Sequence, residues 1–381
     1  MEVVKIPRIL NREIVLLVVL SLAAFGVFVF TRHMAAGVQQ LEAKIAAVWF
    51  ERGMQYMEAG ETEKAIQSFR KATADTGDNQ KYLLALAGAL AAGNDAAEAR
   101  QLLLTLRESD PGNAEINTQL ARLAARQGEV QDAVHYYQSA LYSNWAAAQA
   151  DERRRLRIEF IRFLLAHQQQ RDLATSELLV LQGRTPNSAS AHIETAKLFL
   201  EADDQKHALQ EFEEARRLDS HNEEALTGAG QTSFQLGDYA TAERYLRDAL
   251  DVNPDSQKAR QLLTLAELVQ SEDPLAPRLS PLERQRRLMA DFERSEQRLE
   301  SCLNQAAGST AGAELQSLKA EALAVQPKLR SQTHPPDSDA VRSGLDLIFR
   351  MQQAASIHCG EPAPEDQALL LIGRRHNGEH P

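Results

Sequence analysis

The sequence predicts an all-α fold, a solenoid of stacked helix pairs. Two observations predict it. An alanine recurs in one register, at Ala65, Ala99, Ala133, Ala174, Ala208 and Ala242. Around these alanines, bulky and small residues repeat in units of 34 residues that start at positions 46, 80, 114, 155, 189 and 223, with seven extra residues, 148–154, before the fourth unit. A period of this length is typical of helical repeats whose units bury their apolar faces only by stacking.

Each unit has the composition of two helices that cross closely. In the first, Gly53 and Ala65 are small where the helices meet, and Phe69 fills the space beside them. Glycines fall between the two helices of several units, where a residue must take positive φ. Prolines close the second helix of others, because proline cannot continue a helix.

These residues resemble the tetratricopeptide repeat family over positions 46–256. The resemblance implies a right-handed superhelix of antiparallel helices, about six repeats plus a capping helix, which binds a peptide or a helix of another protein and catalyses no reaction. Relatives that bind the acidic carboxyl terminus of chaperones need Lys and Asn at the positions of Phe50 and Met54. That specificity is therefore not expected in this chain.

The resemblance also implies a partner-binding groove lined by the first helix of each unit. The corresponding residues are Phe50, Met54, Met57, Lys81, Leu84, Thr118, Arg122, Arg126, Phe163, Ile193, Lys197, Gln231 and Phe234. An apolar stripe near a membrane suits a partner helix. The alternative for Met54 and Met57 is packing against the helix that precedes the first repeat.

An apolar segment without charges, 14–31, precedes the repeats and is long enough to cross a bilayer. We interpret it as a retained single-pass anchor; a cleaved signal peptide and a buried core helix are the alternatives. Lys5, Arg8 and Arg12 exceed the basic residues on the other flank, which predicts a cytoplasmic tail, 1–13, in a bacterial inner membrane, with the bulk of the chain outside. A juxtamembrane segment, 32–45, contains no proline, so the anchor is expected to continue into the first repeat as one helix.

The carboxy-terminal part lacks the repeat. We predict a solenoid over 46–271 whose capping helix begins at Gln257, a linker over 272–280 and a small helical module over 281–381. Ser280 followed by Pro281 and Glu283 predicts a capped helix start. Further helices are expected over 313–325, 338–357 and 364–372.

Two cysteines, Cys302 and Cys359, lie in this module. If the module is extracytoplasmic, they can form a disulfide; the alternative is two separate thiols. No C-x-x-C pair exists, which argues against a zinc ribbon or a thioredoxin-like redox site. His358 beside Cys359, with His376 and His380 downstream, is a weak metal candidate, because terminal histidines are usually solvated.

Charge and motifs exclude several classes of function. The 53 acidic residues exceed the 42 Lys and Arg, which disfavours a nucleic-acid partner. The arginines at 153–155 and 157 are more typical of a solvated helix start than of an anion site. Phosphate-binding loops, H-E-x-x-H and G-x-S-x-G are absent from the sequence, so no enzyme, cofactor or small-molecule substrate is expected.

Two functions remain. The first is a membrane-anchored scaffold that holds a partner protein in its groove, in secretion, envelope assembly or protein maturation. The second is a structural subunit of an envelope or pilus-type complex, in which the carboxy-terminal module makes the main contact.

Overall fold

Every regular element is a helix in the part of the chain that the computed structural model describes, residues 8–74, 76, 79–93, 95–305, 310–330 and 338–377. The predicted all-α repeat fold is confirmed. The chain forms two compact units, Met1–Phe163 and Leu164–Pro381, so the division falls inside the fourth repeat. The two units are described separately.

The first unit contains three helix pairs and the start of the fourth repeat. Its helices are α1 Arg8–Glu58, α2 Thr62–Ala74, α3 Gln80–Ala92, α4 Ala96–Ser109, α5 Ala114–Arg126, α6 Val130–Leu141 and α7 Ala150–Leu165, which ends just beyond the division. Helices α1 and α2, α3 and α4, and α5 and α6 pack as pairs, and each pair contacts the next. This is the expected stacking of repeats.

The second unit contains the remaining repeats and the carboxy-terminal module. Its helices are α8 Arg171–Gln182, α9 Ala189–Glu201, α10 Gln205–Leu218, α11 Glu223–Gln235, α12 Tyr239–Val252, α13 Gln257–Glu272, α14 Pro281–Gln305, α15 Thr310–Leu329, α16 Ser338–Cys359 and α17 Pro364–Asn377. One apolar core runs from Ile193 in α9 to Ile372 in α17.

Close helix crossings explain the small residues of the repeat. All six marker alanines are fully buried. A Cβ on Gly53 would lie 2.5 Å from Cε1 of Phe69, and a Cβ on Gly230 would lie 2.7 Å from Cγ of Leu246. These two pairs occupy the same two positions of the first and sixth repeats. A glycine there lets the paired helices approach closely enough to bury the larger side chain.

The turn between the two helices contains one left-handed residue in four of the repeats. Gly60, Gly128 and Gly237 have φ of 73°, 74° and 75° and each follows the first helix of its pair. In the fifth repeat the same place is taken by Asp203, with φ of 63°. An aspartate tolerates this conformation better than most residues, but less well than glycine.

The fourth repeat differs from the expected register in its first helix. Leu156 and Phe160 of α7 are buried at the positions that Ile116 and Leu120 occupy in α5, and each lies 40 residues after its counterpart. The marker alanines of the helices that follow, Ala133 and Ala174, are 41 residues apart. Six of the seven extra residues therefore precede the buried face of α7. The seventh lies in the turn, where a 3-10 helix, Gln168–Gln170, replaces the left-handed residue.

Helix α1 is continuous over 51 residues. Its stretch Leu16–Met34 is long and apolar enough to cross a membrane, and its side chains are exposed. A signal sequence near the amino terminus can satisfy the same criteria of length and composition. The segment 32–45 continues the helix into the first repeat, where Ala46 and Phe50 are buried against the repeat.

The carboxy-terminal module is packed on the last repeat rather than separated from it. Ser280 caps α14 through a hydrogen bond from the Glu283 amide to its Oγ, at 3.2 Å. Helix α17 packs along α13. The amino-terminal ends of both helices line one cleft, and their carboxy-terminal ends meet at Asp273, so the two helices run in the same direction.

Candidate partner-binding cleft

A cleft of about 810 Å³ lies between α11, α13 and the start of α17. We call it the terminal cleft. Its lining residues are Gln231, Phe234, Gln235, Gln257, Lys258, Arg260, Gln261, Leu262, Thr264, Leu265, Pro364 and Gln367. Two of these residues, Gln231 and Phe234, are predicted groove residues of the sixth repeat. The other walls come from the capping helix and from the carboxy-terminal module.

The lining combines apolar surface, amides and positive charge. Five of the residues are glutamines, whose side chains both donate and accept hydrogen bonds. Phe234, Leu265 and Pro364 supply apolar contact, and Lys258 and Arg260 are the charged members. None of the described lining residues is a carboxylate. Such a surface can pair with a peptide backbone, bury an apolar side chain and attract an acidic group.

The floor of the cleft is fixed by an aromatic contact. Phe234 meets Tyr239 edge to face with ring centroids 5.1 Å apart, and both rings are buried. Beside them, Oε1 of Gln235 is shielded from solvent and accepts no hydrogen bond from the described part of the chain. A shielded acceptor without a donor carries a desolvation cost within the folded chain.

Buried polar contacts hold the module's wall in place. Nε2 of Gln352 donates hydrogen bonds to Oγ of Ser295 at 3.0 Å and to Oδ1 of Asp366 at 2.9 Å. Nη1 of Arg298 donates to Oε1 of Gln352 at 2.7 Å, and its Nη2 donates to the carbonyl of Gly360 at 3.2 Å. These bonds connect α14 and α16 to the first turn of α17, which carries Pro364 into the cleft.

A cluster of charges fixes the other end of α17. Asp273, which is buried, lies 3.1 Å from Nε2 of His376 and 3.5 Å from Nη1 of Arg375. Nearby on α14, burial raises the pKa of Asp291 to about 8, and the negative charge of Glu272 adds to the effect. Asp291 is therefore neutral over most of the physiological range.

Several predicted groove residues of the first unit belong to its core. Phe50 is buried, stacks on Tyr82 with centroids 4.8 Å apart, and has Nζ of Lys81 4.6 Å above its ring. Leu84 and Thr118 are buried as well. The structure thus brings Phe50 and Lys81 together, but as packing partners.

Other predicted residues are engaged in ion pairs or remain at the surface. Arg122 donates two hydrogen bonds, of 2.8 and 2.7 Å, to the carboxylate of Glu159. Burial would raise the pKa of Glu159, but bonds from Arg122 and Tyr137 outweigh burial and hold it below its usual value. Arg126 and Met54 are exposed, and Met57 is half-buried.

The three remaining predicted groove residues outside the terminal cleft are in the fourth and fifth repeats. Phe163 is half-buried with its ring 5.7 Å from that of Tyr137, and the shifted register of α7 puts Arg162, not Phe163, at the equivalent of Arg122. Ile193 is buried. Lys197 forms an ion pair of 2.5 Å with Glu224.

Sequence reasoning missed most of the terminal cleft. The part of the cleft on α13 could have been predicted, because Gln257 is 34 residues after Glu223 and α13 is therefore the first helix of a seventh repeat. The repeat positions that gave the other groove residues would have named Gln261 and Leu265. Pro364 and Gln367 carried none, because only tertiary packing brings them to α13.

The structure joins Cys302 of α14 to Cys359 at the end of α16 as a disulfide, with Cα atoms 5.6 Å apart. The neighbouring His358 lies 3.1 Å from a carboxylate oxygen of Glu314. Within the described residues, no group of three or more His, Cys, Asp or Glu is arranged to hold a metal ion. His380 lies outside the described residues.

The fold and the cleft define a class, that of helical repeat solenoids that present a surface between stacked helices. The sequence model of the tetratricopeptide repeat matches residues 56–123 and 199–266. The chain therefore contains tetratricopeptide repeats in both of its units. Proteins built from these repeats mediate interactions between proteins, and the predicted resemblance is confirmed.

Solved structures of repeat proteins are similar in fold. A structure of Pseudomonas aeruginosa PilF is 18% identical, covering 58% of this chain and 97% of its own, with a TM-score of 0.39. PilW, described as a type IV pilus biogenesis factor, is 18% identical, covering 57% and 98%, with a TM-score of 0.38. The C-terminal part of a repeat protein from Cytophaga hutchinsonii is 15% identical, covering 63% and 98%, with a TM-score of 0.44. No curated protein matches the chain.

Proposed function

We propose that the protein binds a segment of another protein in the terminal cleft. The observation that carries the proposal is the lining itself: five amides, an apolar floor and two cations in one cleft. The repeat fold supports it, because tetratricopeptide repeats form protein-interaction surfaces.

The chemistry of the lining indicates the kind of segment. Lys258 and Arg260 attract carboxylates, and Phe234 and Leu265 provide a surface for an apolar anchor. The partner segment is therefore a peptide or helix that combines an apolar side chain with acidic groups. Recognition of this type gains orientation from the charges and affinity from the buried anchor.

The same proposal places the protein at a membrane. The stretch Leu16–Met34 acts as a retained anchor in a bacterial inner membrane, with the repeats and the carboxy-terminal module outside the cytoplasm. The excess of basic residues before the span supports this orientation. Anchored in this way, the cleft serves secretion, envelope assembly or protein maturation by holding a partner near the membrane.

Photo-crosslinking in membranes tests the proposal. A photoreactive residue at Gln261 lies in the cleft, and one at the exposed Asp248 of α12 is the matched control outside it. We expect a specific adduct from position 261 that Lys258→Glu strongly reduces, and none from position 248. Equal adducts from both positions, or an adduct at 261 that is insensitive to Lys258→Glu, would refute binding in the cleft.

The second function, a structural subunit that makes its main contact through the module, has one observation in its favour. Leu323 and Ile357 are large apolar side chains of the module that are 58% and 68% exposed. Deleting residues 280–381 would not separate the two functions, because the module forms a wall of the cleft. The double variant Leu323→Asp, Ile357→Asp does separate the two functions. If the protein is a structural subunit, this variant should fail to assemble, whereas Lys258→Glu should assemble normally.

A further inference from the structure

From the last residue of the apolar stretch to the first turn of the first repeat, α1 carries one line of large apolar side chains, Met34, Val38, Leu41, Ile45 and Val48. We call it the stalk seam. Each of the five is 44–60% exposed. In the sequence from 32 to 48 they are the only large apolar residues. Singly exposed apolar residues are common, but five in line on one helix form a continuous apolar surface whose exposure to water is unfavourable.

The spacing of the seam is that of a coiled coil. Successive members are four, three, four and three residues apart, which is the heptad alternation of a and d positions. Val38 and Ile45 take a, and Leu41 takes d. This alternation keeps one face of a helix turned toward a partner helix that supercoils with it.

The seam is a different face from the one that packs on the repeat. Ala46 and Phe50 are buried against α2, whereas their neighbours Ile45 and Val48 remain exposed. Since adjacent residues on a helix point about 100° apart, the seam and the packed face diverge. A second helix can therefore lie along the seam without displacing the repeat.

We propose that the stalk seam pairs with the same seam of a second copy of this chain, forming a parallel two-stranded coiled coil. The central heptad favours two strands, because β-branched Val38 and Ile45 at a with Leu41 at d is the combination typical of parallel dimers. The outer d positions are taken by Met34 and Val48. The parallel direction rests on the proposed anchor: two copies in one membrane present their seams at the same height and with the same polarity.

The flanking residues agree with this pairing. In a parallel dimer, each g position lies opposite the e position of the following heptad in the other chain. Glu42 at e then faces Gly37 at g, and Lys44 at g faces Trp49 at e. Like charges are not opposed at either pair, so nothing at these positions disfavours self-association.

The seam is about 21 Å long at 1.5 Å per residue, which is short for a coiled coil in solution. Two features of α1 compensate. The same alternation continues into the apolar stretch at Leu20, Ala24, Val27 and Thr31, and small residues there allow close helix contact in lipid. An anchor also confines the copies to one surface, which raises their effective concentration.

Disulfide trapping of the full chain in its native membranes tests the pairing. Leu41→Cys places a thiol in the seam, and Ala43→Cys places one at the exposed f position, on the opposite face. We expect mild oxidation to give a reducible species of twice the chain mass, about fivefold or more enriched for Leu41→Cys over Ala43→Cys. Wild type, which retains Cys302 and Cys359, sets the background.

A second substitution separates the seam from folding. In the Leu41→Cys background, Ile45→Asp should abolish the trapped dimer, and Ala47→Asp, at the exposed c position, should not. Unchanged hydrogen exchange in α3–α6 shows that the repeats remain folded. Equal trapping at 41 and 43, persistence in Ile45→Asp, or a trapped species containing a different protein would overturn the proposal. None of these outcomes depends on the terminal cleft.

Discussion

The side-chain amide of Gln352 donates a hydrogen bond of 2.9 Å to the carboxylate of Asp366, and this bond ties the start of α17 to α16. Gln352 is completely buried. Because α17 carries a wall of the terminal cleft, a contact deep in the module determines the shape of a surface that sequence reasoning assigned to the repeats.

Gln352→Leu should destabilise the second unit by about 1–3 kcal/mol, because it leaves Asp366 and Arg298 short of a buried partner. Hydrogen exchange of residues 360–367 should accelerate at the same time, since the wall loses its attachment. Gln353→Leu, one residue further along and exposed, is the matched control and should change neither measurement. Equal stability of the two variants would contradict the role given to Gln352.

Gly53→Ala should destabilise the first unit, although alanine favours helices by about 1 kcal/mol over glycine. The new Cβ would lie 2.5 Å from the ring of Phe69, which is buried and cannot move aside. Overpacking of this kind costs about 1–3 kcal/mol, so the net change is a loss. Urea denaturation in detergent checks it. Gly112→Ala, with open space around the new Cβ, should cause no such loss.

Asp203→Gly should stabilise the second unit by up to about 1 kcal/mol, because glycine adopts φ of 63° without strain. Loss of the 2.7 Å hydrogen bond from Gln205 to Asp203 offsets part of this gain. The reverse change at the equivalent turn, Gly237→Asp, should destabilise by a similar amount. Thermal unfolding of both variants decides the matter, and a fall in Tm for Asp203→Gly would show that the turn is not strained.

The stability of the second unit should depend on Asp291 and pH. With a folded pKa of about 8 and an ordinary unfolded pKa, this carboxyl holds its proton in the folded chain but loses it on unfolding above about pH 4. Its contribution is thus fully present at low pH and is lost as pH rises to about 8. Relative to Asp291→Asn, wild type should lose at least about 1 kcal/mol between pH 4 and 8. A difference independent of pH in urea unfolding would exclude a raised pKa.

Local patterns in the sequence predicted the repeats well, because each marker alanine reports a crossing between neighbouring helices. The register of α7 could not be predicted, since the spacing from Ala133 to Ala174 gives only the total insertion. How the inserted residues are divided between the loop before α7 and the turn after α7 depends on packing. The contribution of Pro364 to the cleft could not be predicted either, because Pro364 lies 107 residues after Gln257 and meets α13 only through tertiary contacts.

The groove residues show a second limit of sequence reasoning. Position within a repeat identifies the helix face, but Leu84 and Ile193 at the first groove position of their repeats are buried, whereas Gln261 at the same position of the seventh repeat is exposed in the cleft. The difference arises from the next helix in the stack, which covers the face in one repeat and leaves it open in another. A single repeat carries no information about that neighbour.

The sharpest test of partner binding in the terminal cleft is the affinity of the crosslinked segment for variants of the full chain. Once the segment captured from position 261 is identified, its Kd can be measured for wild type, Lys258→Glu and Asp248→Lys. We expect Lys258→Glu to raise Kd about tenfold or more at low salt, because it reverses a charge in the cleft, and Asp248→Lys to leave Kd unchanged. A Kd that is the same for all three chains would contradict it.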